Sequence, residues 1–285
     1  MFELSRILSK MMLMTKTKKR ILFYIFAVLF IVVTCVAILY AQGYKYDFKN
    51  ARFVNTGALG LKINTSADVY IDDIYVGSTS LFGTSFRKDG MLPNTYTVKV
   101  QKDNHSSWTK KIIIVEGLVT DFSHVMLLPL EGEDNKQLRL EIQADLREYS
   151  ANALEIQRLV KFKDMVTVGD LSDYYYDDGK LLKITTADGI MNILAIADNV
   201  SSFELSPDKD KIVWWNNHEL YVYWRKNEYY YNHLIGTSEL LSRFSESIMS
   251  AGWFRDSDHI LVNIGANTNK LLEIDSRGGM NIISL

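Results

Sequence analysis

Twenty-one consecutive residues, Ile21 to Ala41, contain no charge, no proline and no glycine. At about 1.5 Å of rise per residue, a helix of this length is about 31 Å long and matches the hydrocarbon core of a bilayer. A helix also satisfies its own backbone, which is the condition for crossing lipid. Residues 21–41 are therefore expected to be a transmembrane helix, limited by Ile21 and Ala41, with the lipid bilayer as its partner. Residues 42–285 have an ordinary water-soluble composition and no second run of this kind.

The flanks give a direction. Residues 1–20 carry Arg6, Lys10, Lys16, Lys18, Lys19 and Arg20 against the single acid Glu3. Positive charge is retained on the cytoplasmic side, so the amino terminus is expected inside and the rest of the chain outside. The apolar run exceeds the 7–15 residues of a cleaved signal core, and Leu39-Tyr40-Ala41 puts a bulky residue where a small one is needed for cleavage. The segment is expected to be an uncleaved signal anchor of a single-pass cell-membrane protein.

Removing the six basic residues and one acid of the tail leaves 26 basic against 33 acidic residues. This net negative region argues against nucleic acid or an anionic membrane surface as its main partner. Cys35, the only cysteine, lies in the apolar run, so the outer region has no disulfide and depends on its core. This composition suits a bacterial envelope.

Residues 42–56 are a polar stalk in which Tyr44, Tyr46 and Phe48 alternate. They suit either an interfacial aromatic girdle or a linker strand. Residues 57–130 show short strands with polar turns about every ten residues, for example the alternation of Tyr96, Val98 and Val100 against Thr97, Lys99 and Gln101. A small β-sandwich is expected. Asp72-Asp73, Pro93-Asn94 and Glu116-Gly117 supply turns, and the acids at Asp68, Asp72 and Asp73 are read as turn chemistry before a cation site.

The segments Ala67-Asp68-Val69-Tyr70-Ile71-Asp72-Asp73, Gly77-Ser78-Thr79-Ser80 and Leu92-Pro93-Asn94-Thr95-Tyr96-Thr97-Val98-Lys99-Val100 resemble the PEGA domain in order and spacing. The resemblance covers about 70 residues. The tetrad that names the family is Asn64-Thr65-Ser66-Ala67 here, and Asp73, Ser80 and Asn94 stand for a Gly, a Pro and a Gly. It implies an extracytoplasmic β module of bacterial surface proteins, with no catalytic residues to carry over.

Residues 131–163 change character. Leu138, Ile142, Leu146, Tyr149, Ala153, Ile156 and Val160 recur every three or four positions, the stripe of an amphipathic connector helix. A neighbouring domain is expected to cover it, a coiled-coil partner being the alternative. Residues 164–285 then repeat. Lys180-Leu181-Leu182-Lys183-Ile184 recurs 90 positions later as Lys270-Leu271-Leu272-Glu273-Ile274, with Glu219 to Tyr223 between them. Leu205 to Val213 likewise aligns with Trp253 to Leu261. A period near 45 residues is the mark of propeller blades. Ser206-Pro207-Asp208, followed by Lys211-Ile212-Val213, resembles the TolB-type propeller repeat. About three blades are expected, an incomplete propeller, so the fold class is mainly β. The last blade, at Ile282 to Leu285, looks uncapped. A longer reading frame, or self-association through an open end at Ile260 to Leu285, would account for that.

No G-x-S-x-G, H-E-x-x-H, phosphate-binding glycine loop or cysteine pair occurs, and the five histidines are scattered singly. No catalytic residue, metal ligand or cofactor is assigned. Exposed aromatics remain as candidate contacts for a protein or an envelope polysaccharide: Tyr229, Tyr230 and Tyr231 in the longest inter-strand segment, with Trp224 before them. A non-catalytic, membrane-anchored binding or scaffolding protein is expected. The alternative is the propeller-bearing part of an envelope hydrolase whose catalytic domain lies outside this chain.

Overall fold

A computed structural model describes residues 16–79, 83–162, 165–187, 190–227, 233–266 and 268–285. The chain divides into two compact units. One takes Met1–Leu59, Arg87–Asn94 and Ile114–Thr120, and the other takes Gly60–Phe86, Thr95–Ile113 and Asp121–Leu285.

The first unit begins with helix α1 (Lys16–Ala41), none of whose side chains is buried by protein. It ends at the expected Ala41 and extends upstream through Lys16, Lys18, Lys19 and Arg20. Gly43 stops it by taking a left-handed φ of 86° while its N–H returns to the Tyr40 carbonyl. Within the apolar run, Thr34 donates its hydroxyl to the Phe30 carbonyl at 2.8 Å and so has a partner that lipid would not supply. The stalk is a hairpin of β1 (Tyr44–Asp47) and β2 (Arg52–Asn55), not an open linker. Asp47 closes its turn by accepting from the N–H groups of Lys49 and Asn50. Tyr46 packs edge-on against Phe48 and Phe53, at 5.0 and 5.2 Å, and Phe48 is 87% exposed.

Seven strands follow: β3 (Gly57–Ile63), β4 (Asp68–Ile71), β5 (Ile74–Ser78), β6 (Ser85–Met91), β7 (Asn94–Gln101), β8 (Trp108–Ile114) and β9 (Val119–Val125). They form one sheet in the order β6-β3-β9 and another in the order β5-β4-β7-β8. Val98 and Val100 are fully buried, as their alternation requires. The β4–β5 turn puts Asp72 and Asp73 at φ of 50° and 63°, the left-handed pair of a tight hairpin, which an aspartate tolerates. The Asp72 carboxylate also accepts from the Thr97 N–H at 2.8 Å. These acids therefore act as turn residues. Asn94, in contrast, simply opens β7.

Helix α2 (Gly132–Phe162) carries acids Glu133 and Asp134 in its first turn, where they complement the helix dipole. Its stripe of Leu138, Ile142, Leu146, Tyr149 and Ala153 is buried, with Ile156 partly so. Three antiparallel four-stranded sheets then follow in chain order. The first contains β10 (Val166–Thr167), β11 (Tyr174–Asp177), β12 (Lys180–Ala187) and β13 (Ile190–Ala197). The second contains β14 (Ser202–Leu205), β15 (Lys211–Trp215), β16 (Glu219–Trp224) and β17 (Ser238–Arg243). The third contains β18 (Ile248–Trp253), β19 (His259–Ile264), β20 (Thr268–Glu273) and β21 (Ile282–Ser284). The repeats seen in the sequence are the third strands β12, β16 and β20. Equivalent turns repeat as well: Ser206 N–H to Lys211 carbonyl and Phe254 N–H to His259 carbonyl are both 2.9 Å.

α2 touches β10, β14, β18 and β19 and so runs along the first strands of all three sheets. One apolar cluster joins the second and third sheets through Trp215, Leu220, Trp253 and Ile260, and another joins the first and second through Tyr174, Phe203 and Trp214. The expected open end at Ile260 to Leu285 is therefore corrected. Leu261 and Leu271 pack with Leu138, Ile142, Leu146, Met126 and Leu128, and Ile283 and Leu285 lie against the same cluster. The last sheet is covered by a helix that precedes it by about a hundred residues, an element that the pattern of the last repeat alone does not reveal.

Candidate functional site

Strand β8 alternates strictly between buried and exposed positions, and its buried row is Trp108, Lys110, Ile112 and Ile114. A lysine in that row needs partners, because an isolated ammonium inside a protein is strongly disfavoured. The partners come from the end of β20 and the loop after it. Lys110 Nζ lies 3.1 Å from Glu273 Oε1 and 3.8 Å from Asp275 Oδ1, and it donates to the Asp275 carbonyl. The second Glu273 oxygen accepts from Trp108 Nε1 and Asn281 Nδ2, both at 2.9 Å. Arg277 holds the Asp275 carboxylate through two nitrogens, at 2.7 and 3.0 Å, and donates to the Asp121 carbonyl at 2.8 Å. Phe122 has both cations against its ring, Lys110 at 5.3 Å and Arg277 at 4.4 Å.

Two cations thus face two carboxylates in a buried setting. Burial pushes the Glu273 carboxyl above its ordinary range, and Lys110 and Asn281 oppose that rise. The loop can approach β8 because residue 278 is glycine. Its φ is 70°, and a Cβ there would run into the Lys111 backbone, whose N–H donates to the Gly278 carbonyl at 3.0 Å.

Beside this cluster is a cavity of about 190 Å³ lined by Lys62, Asn64, Thr84, Ser123, His124, Asp256 and His259, among others. His124 Nδ1 is 3.0 Å from Asp258 Oδ2, and His259 Nδ1 is 2.9 Å from Asp256 Oδ2. Carboxylates only accept, so in both histidines Nδ1 carries the proton and donates. The hydrogen bond to Asp258 raises the His124 pKa above its ordinary value, against a smaller opposing effect of burial. Lys211 meets Asp208 at 2.9 Å in the equivalent turn of the second sheet, so the His259–Asp256 pair is a feature of the repeat. Among the described residues, no group of three or more histidine, cysteine or acidic side chains is placed to hold a metal ion. The chemistry of the whole arrangement is that of matched charges holding β8 and β9 against the last sheet.

Of the residues expected to make contacts, only Trp224 is described. Tyr229, Tyr230 and Tyr231 lie outside the described residues. Trp224 is 0% exposed; its ring stacks on His233 at 4.3 Å, with Lys211 Nζ 5.6 Å from it. It is therefore a core residue and no partner contact, because the inward face of β16 reaches its last position. Ile21 and Ala41 both lie on α1. The sequence contains one signal for the site, a charge in an otherwise apolar row at Trp108, Lys110, Ile112 and Ile114. No family model matches the chain, and no curated protein is significantly similar to it.

Proposed function

We propose that the chain is a membrane-anchored binding or scaffolding protein, non-catalytic, whose PEGA-like module and TolB-like repeats lie on the extracytoplasmic side. The observation that carries this reading is α1. It is long and apolar enough to cross a bilayer, it buries no side chain in protein, and it runs directly into a folded hairpin. The exposed Phe48 and its neighbour Tyr46 suit the headgroup level beside such a helix. The buried ion cluster supports a scaffold, since balanced, hydrogen-bonded charges fix geometry and leave no group poised for proton transfer. The partner class in this reading is a protein or an envelope polysaccharide. Protease added to intact cells should digest everything after Gln42 and leave a small membrane-bound fragment. Complete protection of residues 42–285 would overturn the orientation, and recovery of the intact chain in the soluble fraction would overturn the anchor.

A further inference from the structure

The three four-stranded sheets differ at their outer edges. β17 carries Glu239 and Arg243, the latter paired with Glu219 at 2.5 Å, and β21 has only three residues. Charge and shortness are two of the devices by which edge strands avoid pairing with other chains. β13 has neither. It is eight residues long, reads Ile-Met-Asn-Ile-Leu-Ala-Ile-Ala, and exposes Ile190, Met191, Ile193 and Leu194 at 60–65%. The register with β12 sets Ile193 beside Ile184 and Met191 beside Thr186. Leu182, opposite Ala195, and Tyr175, opposite Leu182, continue the same outer face. An uncharged edge thus borders an apolar sheet face that no element among the described residues covers.

We propose that β13 is a self-association edge, which pairs antiparallel with β13 of a second copy of this chain. Three features select a second copy over another partner. First, an uncharged strand offers a charged peptide nothing to pair with, whereas laid against itself it brings no like charges together. Second, a two-fold axis normal to the sheet keeps each residue on its own face. The register centred on Ile193 then sets Ile193 opposite its own copy, Met191 opposite Ala195 and Ile190 opposite Ile196, all apolar pairs, with Asn192 opposite Leu194 as the one polar position. Third, one added strand pair buries less than the roughly 1,000 Å² of a stable free interface. Two copies held in one bilayer by α1 meet at a raised effective concentration and need less. This last step rests on the anchor reading given above.

The test uses the full-length chain with Cys35→Ser, reconstituted in phosphatidylcholine vesicles. Under mild oxidation, Ile193→Cys should convert most of the chain to a species of twice the mass on a non-reducing gel, and Leu240→Cys on β17 should not. Ile193→Lys, a change at an exposed position, should abolish energy transfer between donor- and acceptor-labelled copies while the thermal melt stays unchanged. No cross-link at position 193, equal cross-linking at 193 and 240, or unchanged energy transfer would overturn the pairing. Vesicle flotation separates the two readings. A chain that floats but fails to pair overturns the self-association alone, and a chain that does not float overturns the anchor and the pairing with it.

Discussion

Glu204 allows the packing of α2 to be tested by proton linkage. It sits on β14 beneath α2, where burial first, and then the nearby charges of Glu148 and Asp145, push its pKa up to about 8. The surroundings are tight: at Gly252 a Cβ would overlap the Glu204 carboxylate and come within 2.6 Å of the Tyr149 ring. The Tyr149 hydroxyl donates to the Trp253 carbonyl at 2.6 Å, so the helix is pinned at this level. An acid whose folded pKa lies above its unfolded value holds its proton in the folded state while the unfolded chain has released it. Between about pH 4.5 and pH 8, stability therefore falls as pH rises, at up to roughly 1.4 kcal/mol per pH unit, and the loss is complete above the folded pKa. Relaxation and water entry reduce the total, so the expected cost at pH 8 is about 2–3 kcal/mol. Glu204→Gln keeps the shape and removes the titration. The variant should match the parent near pH 4.5, gain steadily, and exceed it by that amount at pH 8. Urea unfolding of the detergent-solubilised chain, followed by tryptophan fluorescence, measures the difference; Trp253, whose indole donates to the Glu204 carbonyl, reports locally. Parallel pH curves for parent and variant would refute the buried, proton-binding Glu204.

Lys110→Met should destabilise by about 3–5 kcal/mol, because it leaves Glu273 buried without its cation, while Asp275 keeps Arg277. Adding Glu273→Gln should recover part of that loss, and additive costs in the same urea series would show that the pair is not coupled. His124→Gln should cost less than about 1 kcal/mol, since the histidine is half-exposed. Its folded pKa is raised, so the difference should be fully present below about pH 6.5 and vanish as pH rises through the folded pKa. A constant difference across pH would contradict the Asp258 contact. Gly278→Ala should cost at least 1 kcal/mol from the left-handed φ and the Lys111 clash, whereas Gly279→Ala, with open space around it, should cost only the φ strain. Equal melting shifts for the two would argue against close approach of that loop.

Features with a period were legible in the sequence. The apolar run ends at Ala41 in both readings, the stripe from Leu138 to Ala153 is the buried face of α2, and the Lys180, Glu219 and Lys270 segments are equivalent strands. Strands β5 and β6 are not legible in the sequence, because they are barely buried and show no clean alternation. The burial of Trp224 is not legible, because an aromatic on a strand has the same pattern whether a second sheet or a partner covers it. The polar cavity could not have been read, since it joins Lys62, His124 and His259 from strands far apart in the chain. Lys110 stood in plain view, but its meaning depends on partners that only folding brings near.

The separation between Lys110 and its acids also sets an order of events. Its indole neighbour Trp108 and Lys110 itself both find their partners 165 positions downstream. While the chain is synthesised from its amino end, the seven-stranded module is complete in length long before Glu273 and Asp275 arrive. Through that interval the ammonium has to remain hydrated, so β8 cannot settle against its neighbours in final form. The apolar stripe of α2 is left waiting for the same last sheet. A ribosome that stalls after the second sheet therefore releases a chain with a loosened early module and a helix whose Leu138, Ile142 and Leu146 are uncovered, both open to proteases. The third sheet acts as a late seal: β8 and the upper stripe of α2 close only once Leu261, Leu271 and Glu273 have been made.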